Sequence, residues 1–267
     1  MSSESPRGMA DTVPLHYSEA GHGTPVVLLH GFPLSGAIWH EQQQRLRDRY
    51  RVITPDLRGH GQSPAPPGVY SMDALARDVL ALLDSLEIAK AVIIGHSMGG
   101  YATLAAWKLA PQRFLALGLV SSHAGADTED ARQARLRTAD QVAVEGNQVL
   151  AAAMLRKLFA TGLPRGDPVI EPVRQMILGT TREGVIGALH GMAARPSSEA
   201  VLPDIDVPML VLAGDQDQII PLARAEGLAA AIPNATLSVI HNAGHMPMLE
   251  RPEATTTALR NFLGTVR

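Results

Sequence analysis

Residues able to do nucleophilic chemistry stand at three places in the chain. Gly95-His96-Ser97-Met98-Gly99 holds a serine between two glycines. Gly214-Asp215-Gln216-Asp217-Gln218-Ile219-Ile220-Pro221 holds two carboxylates, and His241-Asn242-Ala243-Gly244-His245-Met246-Pro247 holds two imidazoles. A serine hydroxyl is a poor nucleophile near neutral pH. It needs a base to take its proton and a third group to orient that base. The order Ser, Asp, His supplies all three, and the chemistry such a set performs is acyl transfer through a covalent acyl-enzyme.

Within each pair one residue is the better candidate. Asp217 is the expected acid, because Asp215 lies right at the end of a strand, where capping the turn is the plainer role. His245 is the expected base. It sits in the loop beyond a strand, behind a glycine, from where its side chain can swing towards Ser97, whereas His241 ends the strand itself. A tetrahedral intermediate needs donors for its oxyanion. The backbone N–H of Met98, next to the nucleophile, and that of Phe32, in the loop after Pro25 to Leu29, are the expected pair. His30 and His96 lie near the site by sequence, with packing or hydrogen bonding as their expected roles. His123 and His190 are candidate substrate contacts, although a surface or packing role is the plainer reading of each.

These groups need elements to hold them. Ala91 to Ile94 is a short apolar run that enters Gly-x-Ser-x-Gly and leaves as a helix from Tyr101 to Leu109. That is strand, sharp turn, helix, and it lifts a serine Oγ clear of the sheet. Gly95 and Gly99 flank Ser97 at i−2 and i+2, where a Cβ would collide with a neighbouring strand or helix. The Ser97 backbone is expected to be strained, by roughly 1–3 kcal/mol, with helix N-terminal amides aimed at the reaction centre. The acid and base belong on loops at the carboxyl ends of strands, here Val207 to Ala213 and Thr236 to Ile240. Further strands are expected at Val13 to Ser18 (an edge), Pro25 to Leu29, Tyr50 to Thr54 and Phe114 to Val120. Helices are expected at Ile38 to Arg49, Asp73 to Leu86, Leu222 to Ala231 and Pro252 to Leu263. In the second of these Leu75, Val79, Leu82, Leu83 and Leu86 follow the spacing of a half-buried helix. Strands alternating with helices argue for an α/β fold with a doubly wound, mostly parallel sheet.

From 122 to 198 strand-like runs vanish and four helical pieces follow, Glu129 to Val144, Gln148 to Ala160, Val169 to Leu178 and Arg182 to Ala194. The expected organisation is an α/β core in two parts, 1–121 and 199–267, with an inserted helical cap at 122–198. The cap has one aromatic, Phe159, among Met154, Leu155, Leu158, Met176, Ile177, Leu189 and Met192. Their plainer reading is cap core. If Met154 and Phe159 line a pocket, it is aliphatic and pliable.

Bulk properties exclude other classes. The chain has 267 residues, enough for one large α/β domain with an insertion. A net charge of −3 with no basic run argues against nucleic acid. No apolar run reaches the length of a membrane span. With no cysteine, disulfides, thiolate chemistry and Cys-ligated metals are excluded. The polar start lacks the apolar stretch of a secretory signal, and Met1 to Gly8 is expected to be a frayed tail. A cytoplasmic location is the matching expectation, and oligomeric state has no signature here.

Several motifs in order resemble the α/β-hydrolase superfamily, from about Pro25 to the end: His30-Gly31-Phe32-Pro33, Asp56-Leu57-Arg58-Gly59-His60-Gly61-Gln62-Ser63, Gly95 to Gly99, Gly214 to Pro221, and Gly244-His245 with Glu250-Arg251-Pro252-Glu253. The resemblance implies a core sheet of about eight strands, a cap and no cofactor. It supports Asp217, which fits the pattern Gly-x-x-Asp-x-Ile/Val-x-Pro, and gives the Asp56 to Ser63 loop a structural role. A serine at the elbow argues against the dehalogenase and epoxide-hydrolase branches, which use aspartate there. His30 to Pro33 looks like esterases, enol-lactonases and perhydrolases. The expected activity is hydrolysis of a small-molecule carboxylic ester or lactone with a small to medium acyl group. The alternatives are a ligand-sensing protein with slow hydrolysis, a perhydrolase, and a C–C bond hydrolase, whose elbow usually has Asn where His96 stands.

Overall fold

The computed structural model describes residues 12–266, so the expectation for Met1 to Gly8 lies outside the described residues. Seven strands form one sheet in the order β1-β3-β2-β4-β5-β6-β7. They are β1 (Tyr17–Ala20), β2 (Thr24–Leu29), β3 (Tyr50–Pro55), β4 (Ala91–His96), β5 (Phe114–Val120), β6 (Met209–Gly214) and β7 (Ala235–Ile240). Only β1 runs antiparallel, against β3. The remaining neighbours are parallel. Strands buried on both faces read as continuous apolar runs. Val26 to Leu29 and Ala91 to Ile94 are fully buried accordingly.

Three expectations are adjusted by the structure. The sheet has seven strands among the described residues, not about eight. The edge strand is Tyr17–Ala20 rather than Val13 to Ser18. The physical reason is that N–H groups of the preceding backbone are held by side chains instead of a ladder. The Val13 N–H donates to Asp78 Oδ1 (2.9 Å) and the His16 N–H to Ser63 Oγ (2.9 Å). The helix expected over Ile38 to Arg49 is a 3₁₀ turn, Gly36–Trp39, followed by the short α1 (His40–Leu46).

The helices that cover the sheet are α2 (Met72–Ser85), α3 (Met98–Leu109), α8 (Leu222–Ala230) and α10 (Pro252–Leu263), with the single turn α9 (Pro247–Glu250) before the last. α2 starts where Ser71 Oγ accepts from the Ala74 N–H, and it buries Leu75, Val79, Leu82 and Leu83. Between β5 and β6 come α4 (Glu129–Glu145), α5 (Gln148–Leu158), α6 (Ile170–Gly179) and α7 (Arg182–Ala193). This segment is tied to loops at the carboxyl ends of β2 and β3. Thr180 Oγ1 donates to Pro33 O (2.9 Å), Thr181 Oγ1 to Gly59 O (3.2 Å), and the Tyr70 N–H to Gly187 O (2.9 Å). Among the described residues no helix is long and apolar enough to cross a membrane.

Candidate active site

Ser97 stands between β4 and α3 with φ 50° and ψ −114°, a left-handed conformation that side chains rarely adopt. Such a residue costs about 1–3 kcal/mol and persists only where its surroundings over-determine it. Here the backbone does so. The Ser97 N–H donates to Val120 O (2.9 Å), and its carbonyl accepts from the amides of Gly100 and Tyr101 and from Ser122 Oγ (2.8 Å). The flanking glycines are needed for space. A methyl group on Gly95 would lie 2.2 Å from the Gly99 carbonyl, and one on Gly99 would lie 2.6 Å from the His30 carbonyl. Strand β2 therefore delivers its following loop to the elbow. Gly31 touches it so closely that a methyl there would sit 3.1 Å from Ser97 Cβ. Phe32 follows Gly31 on that loop, and Met98 directly follows Ser97 and opens α3.

The expected acid and base meet in the interior. His245 Nδ1 lies 2.8 Å from Asp217 Oδ2, and both side chains are buried. Asp217 Oδ1 accepts from the amides of Ile219 (2.8 Å) and Ile220 (2.9 Å). Burial alone pushes the Asp217 carboxyl up, but the His245 imidazole and these amides outweigh it and hold it below the ordinary carboxylate value. An ionised Asp217 accepts from Nδ1–H, which leaves His245 Nε2 as the free lone pair. The His245 ring lies 4.8 Å from the His96 ring, centroid to centroid, one residue before Ser97. His96 Nε2 donates to His245 O (2.9 Å), and burial together with the neighbouring His245 keeps its imidazole neutral. His96 thus ties down the His245 backbone.

The competing residues pair with each other elsewhere. Asp215 Oδ2 lies 3.0 Å from His241 Nδ1 at the surface, where His241 is largely exposed.

The expected substrate contacts divide. His123 belongs to a polar cluster. Arg195, on the connection after α7, has its guanidinium 3.8 Å from the centre of the Tyr101 ring. It donates to Gly125 O (2.8 Å), Asp127 Oδ1 (2.8 Å) and His123 Nε2 (3.2 Å). Arg135 Nε takes the other oxygen of Asp127 at 2.5 Å. Burial and then Arg195 push the His123 imidazole down to about 4, so it is a neutral acceptor. Phe159 is buried at the end of α5, and Met154, within α5, is half-buried. His190 is half-buried on α7. Phe159 lines an open groove of about 510 Å³ with Arg156, Leu163 and Gln218. His123 lines a different one of about 470 Å³ with Glu199 and Arg224. Ser97 lines neither.

Three residues that take part in this arrangement had no role in the sequence reading. Ser122, at the carboxyl end of a buried strand, holds the Ser97 carbonyl. Gln218 donates to Phe159 O (3.0 Å). Glu250 accepts from the amides of Ala160, Gly244 and Met246. The one available signal was for Glu250, an acid directly following the apolar Met248-Leu249 near His245. The Asp56 to Ser63 loop is a knot of internal bonds. Asp56 accepts from the amides of Gly36 and Gln62, and Ser63 Oγ donates to Asp56 O.

The profile of the alpha/beta hydrolase fold matches residues 24–252. A 3-oxoadipate enol-lactonase from Acinetobacter baylyi is 31% identical, over 94% of this chain and 93% of that protein. Among solved structures, a thermophilic esterase from Thermogutta terrifontis superposes with a TM-score of 0.93 at 41% identity, covering 95% of this chain and 94% of the other. An enol-lactonase from Burkholderia xenovorans LB400 gives 0.88 at 31% identity, covering 94% and 97%. On the profile, the relatives and the strand–elbow–helix geometry together, the chain belongs to the α/β-hydrolase family.

Proposed function

We propose that the protein is a serine hydrolase of small-molecule carboxylic esters, lactones included, with Ser97 as nucleophile, His245 as base and Asp217 as the acid that orients it. The observation that carries this reading is the buried Asp217–His245 pair packed against His96, the residue before a strained serine at a strand-to-helix turn. Ser97 Oγ attacks the acyl carbon while His245 Nε2 takes its proton. The charge on the carbonyl oxygen is received by the N–H groups of Phe32 and Met98. His245 then protonates the leaving alcohol, which departs, or stays tethered when the substrate is a lactone. Water, deprotonated by His245, attacks the acyl-enzyme and releases the acid and Ser97. Asp217 keeps the proton on Nδ1 throughout and stabilises the imidazolium. The similarity to an esterase and to enol-lactonases supports both substrate forms. The helical segment α4–α7 is read as the cap that sizes the acyl pocket, and the absence of cysteine suits a reducing, cytoplasmic setting.

The test is initial-rate hydrolysis of p-nitrophenyl esters from two to twelve acyl carbons, with a set of lactones, for the wild type and Ser97→Ala. Turnover in the ordinary range of about 1–10³ s⁻¹, peaking at short or medium chains and abolished by the substitution, is the expected result. Undiminished esterase activity in Ser97→Ala refutes the mechanism. Turnover slower than about once per minute on every substrate, set against that range, refutes the assignment as a hydrolase and favours a ligand-sensing role.

A further inference from the structure

One peptide unit of the α5–α6 connection touches both functional loops. The Phe159 carbonyl accepts from Gln218 Nε2 at 3.0 Å, and Gln218 directly follows Asp217. The Ala160 N–H, on the same peptide, donates to Glu250 Oε2 at 2.7 Å. The other oxygen of Glu250 accepts from the amides of Gly244 (2.8 Å) and Met246 (3.3 Å), the two neighbours of His245. The peptide also lies flat against Gly244. A methyl group there would sit 2.5 Å from both Ala160 N and Phe159 C, so only glycine permits the approach.

Glu250 is an unusual choice for this position. It is 6% exposed, and its carboxylate oxygens accept from the backbone amides of Ala160, Gly244 and Met246. Burial pushes its carboxyl up, with the three amides and Arg251 opposing. Keeping a carboxylate in such a place is costly unless its oxygens are filled. An amide side chain of the same shape has one acceptor oxygen and cannot fill both sets of N–H groups.

We propose that Glu250 is a positioning residue for His245, and that the Phe159–Ala160 peptide is the clamp through which seating of the α4–α7 segment sets the spacing of the acid and base loops. This rests on the reading of His245 as the base. When the segment is seated, Glu250 and Gln218 grip the peptide from opposite sides and hold the two loops in register. When it lifts, the Glu250 carboxylate loses the donor that fixes Oε2, and its hold on the Gly244 and Met246 amides is no longer braced from the far side.

The experiment compares the wild type with Glu250→Gln and Gln218→Ala, each confirmed folded by its melting transition. The readouts are kcat and KM for the best ester, hydrogen–deuterium exchange at the Ala160 amide, and the far-downfield proton NMR resonance of the Asp217–His245 hydrogen bond. A misplacement of about 1 Å at a reacting group costs up to about 100-fold in rate. Glu250→Gln is therefore expected to lower kcat by about 10- to 100-fold with little change in KM, to speed exchange at Ala160, and to shift or broaden the His245 resonance. Gln218→Ala, on an exposed loop, is expected to do the same more weakly. It decides the matter if Glu250→Gln does not fold. Faster exchange at Ala160 with unchanged kcat and an unchanged His245 resonance overturns the proposal and leaves Glu250 a structural staple. If the wild type shows no Ser97-dependent hydrolysis, the functional reading fails by itself. The exchange and resonance data then still decide the clamp.

Discussion

Replacing Asp217 with Asn tests the proposed chemistry most sharply, because the structure dictates which way the new amide must face. Asp217 Oδ1 receives two N–H donors, from Ile219 and Ile220, and Oδ2 faces His245 Nδ1 at 2.8 Å. An asparagine must keep its oxygen towards the two amides. Turning its NH₂ there would set donors against donors in a buried site. The NH₂ therefore points at Nδ1 and forces that nitrogen to accept. The proton moves to Nε2, the atom that must be bare to deprotonate Ser97. The fold survives, since every donor still has an acceptor, while the tautomer is wrong. In the serine triad this change lowers kcat by about 10⁴, which corresponds to about 5.4 kcal/mol of lost transition-state stabilisation. The assay is kcat/KM on the best p-nitrophenyl ester at fixed pH, with far-UV circular dichroism and melting as controls. Asp215→Asn is the matched comparison. It removes only the carboxylate facing the exposed His241 and is expected to change the rate less than about twofold, as surface substitutions away from special features usually do little. An Asp217→Asn enzyme within tenfold of the wild type refutes the tautomer argument, and a large loss in Asp215→Asn refutes the choice of acid.

Gly95→Ala would place a methyl 2.2 Å from the Gly99 carbonyl, in backbone that cannot retreat, so a loss of about 3 kcal/mol or more is expected in urea unfolding; an unchanged midpoint contradicts the packing. Asp127→Ala strands Arg195 and Arg135. With Arg195 buried the expected cost is about 3 kcal/mol, visible as a lowered melting temperature at unchanged substrate KM. Stability should also fall on acidification below about pH 6.5, the ordinary histidine value. Burial holds His30, His60 and His96 below their ordinary values, His60 at about 3, so the unfolded chain takes up protons before the folded one. A group whose folded pKa is lowered in this way makes stability rise with pH, here by up to about 1.4 kcal/mol per pH unit for His60 between its two values. Urea midpoints at pH 7, 6, 5 and 4 test the sign, and a flat series contradicts neutral burial.

Local chemistry made much of this molecule legible in advance. The run Ala91-Val92-Ile93-Ile94 into Gly-x-Ser-x-Gly specified strand, turn and helix because the glycines leave room for no other crossing, and the Ser97 φ of 50° follows from it. The apolar period of α2 and the buried faces of β2 and β4 were equally local. The helices expected between β5 and β6 begin and end within about two residues of those observed, since each is bounded by Gly, Pro or a capping hydroxyl such as Thr128 or Thr181. Short-range patterns misjudged the start of the first strand, because the N–H groups of Val13 and His16 go to Asp78 and Ser63, 65 and 47 residues away.

From the sequence by itself came the family, the order of elements and a short set of candidate groups, since side-chain type, strand-turn-helix spacing and glycine placement are properties of neighbours along the chain. Which acid meets which base was a tertiary decision. Asp215 and Asp217 are two residues apart, yet one turns outward to His241 and the other inward to His245, because both lie in the turn beyond β6, free of the strand's period, and the two amides of Ile219 and Ile220 hold the Asp217 carboxylate inward. The Arg195 cluster around His123 and the grip of Glu250 and Gln218 on the Phe159–Ala160 peptide belong to the same class. Their partners lie between 59 and 90 residues apart for the clamp and between 68 and 72 for Arg195 with Asp127, Gly125 and His123. Hydrogen bonds at such separations exist only once the sheet has set the ends of its strands side by side, and no local pattern encodes them.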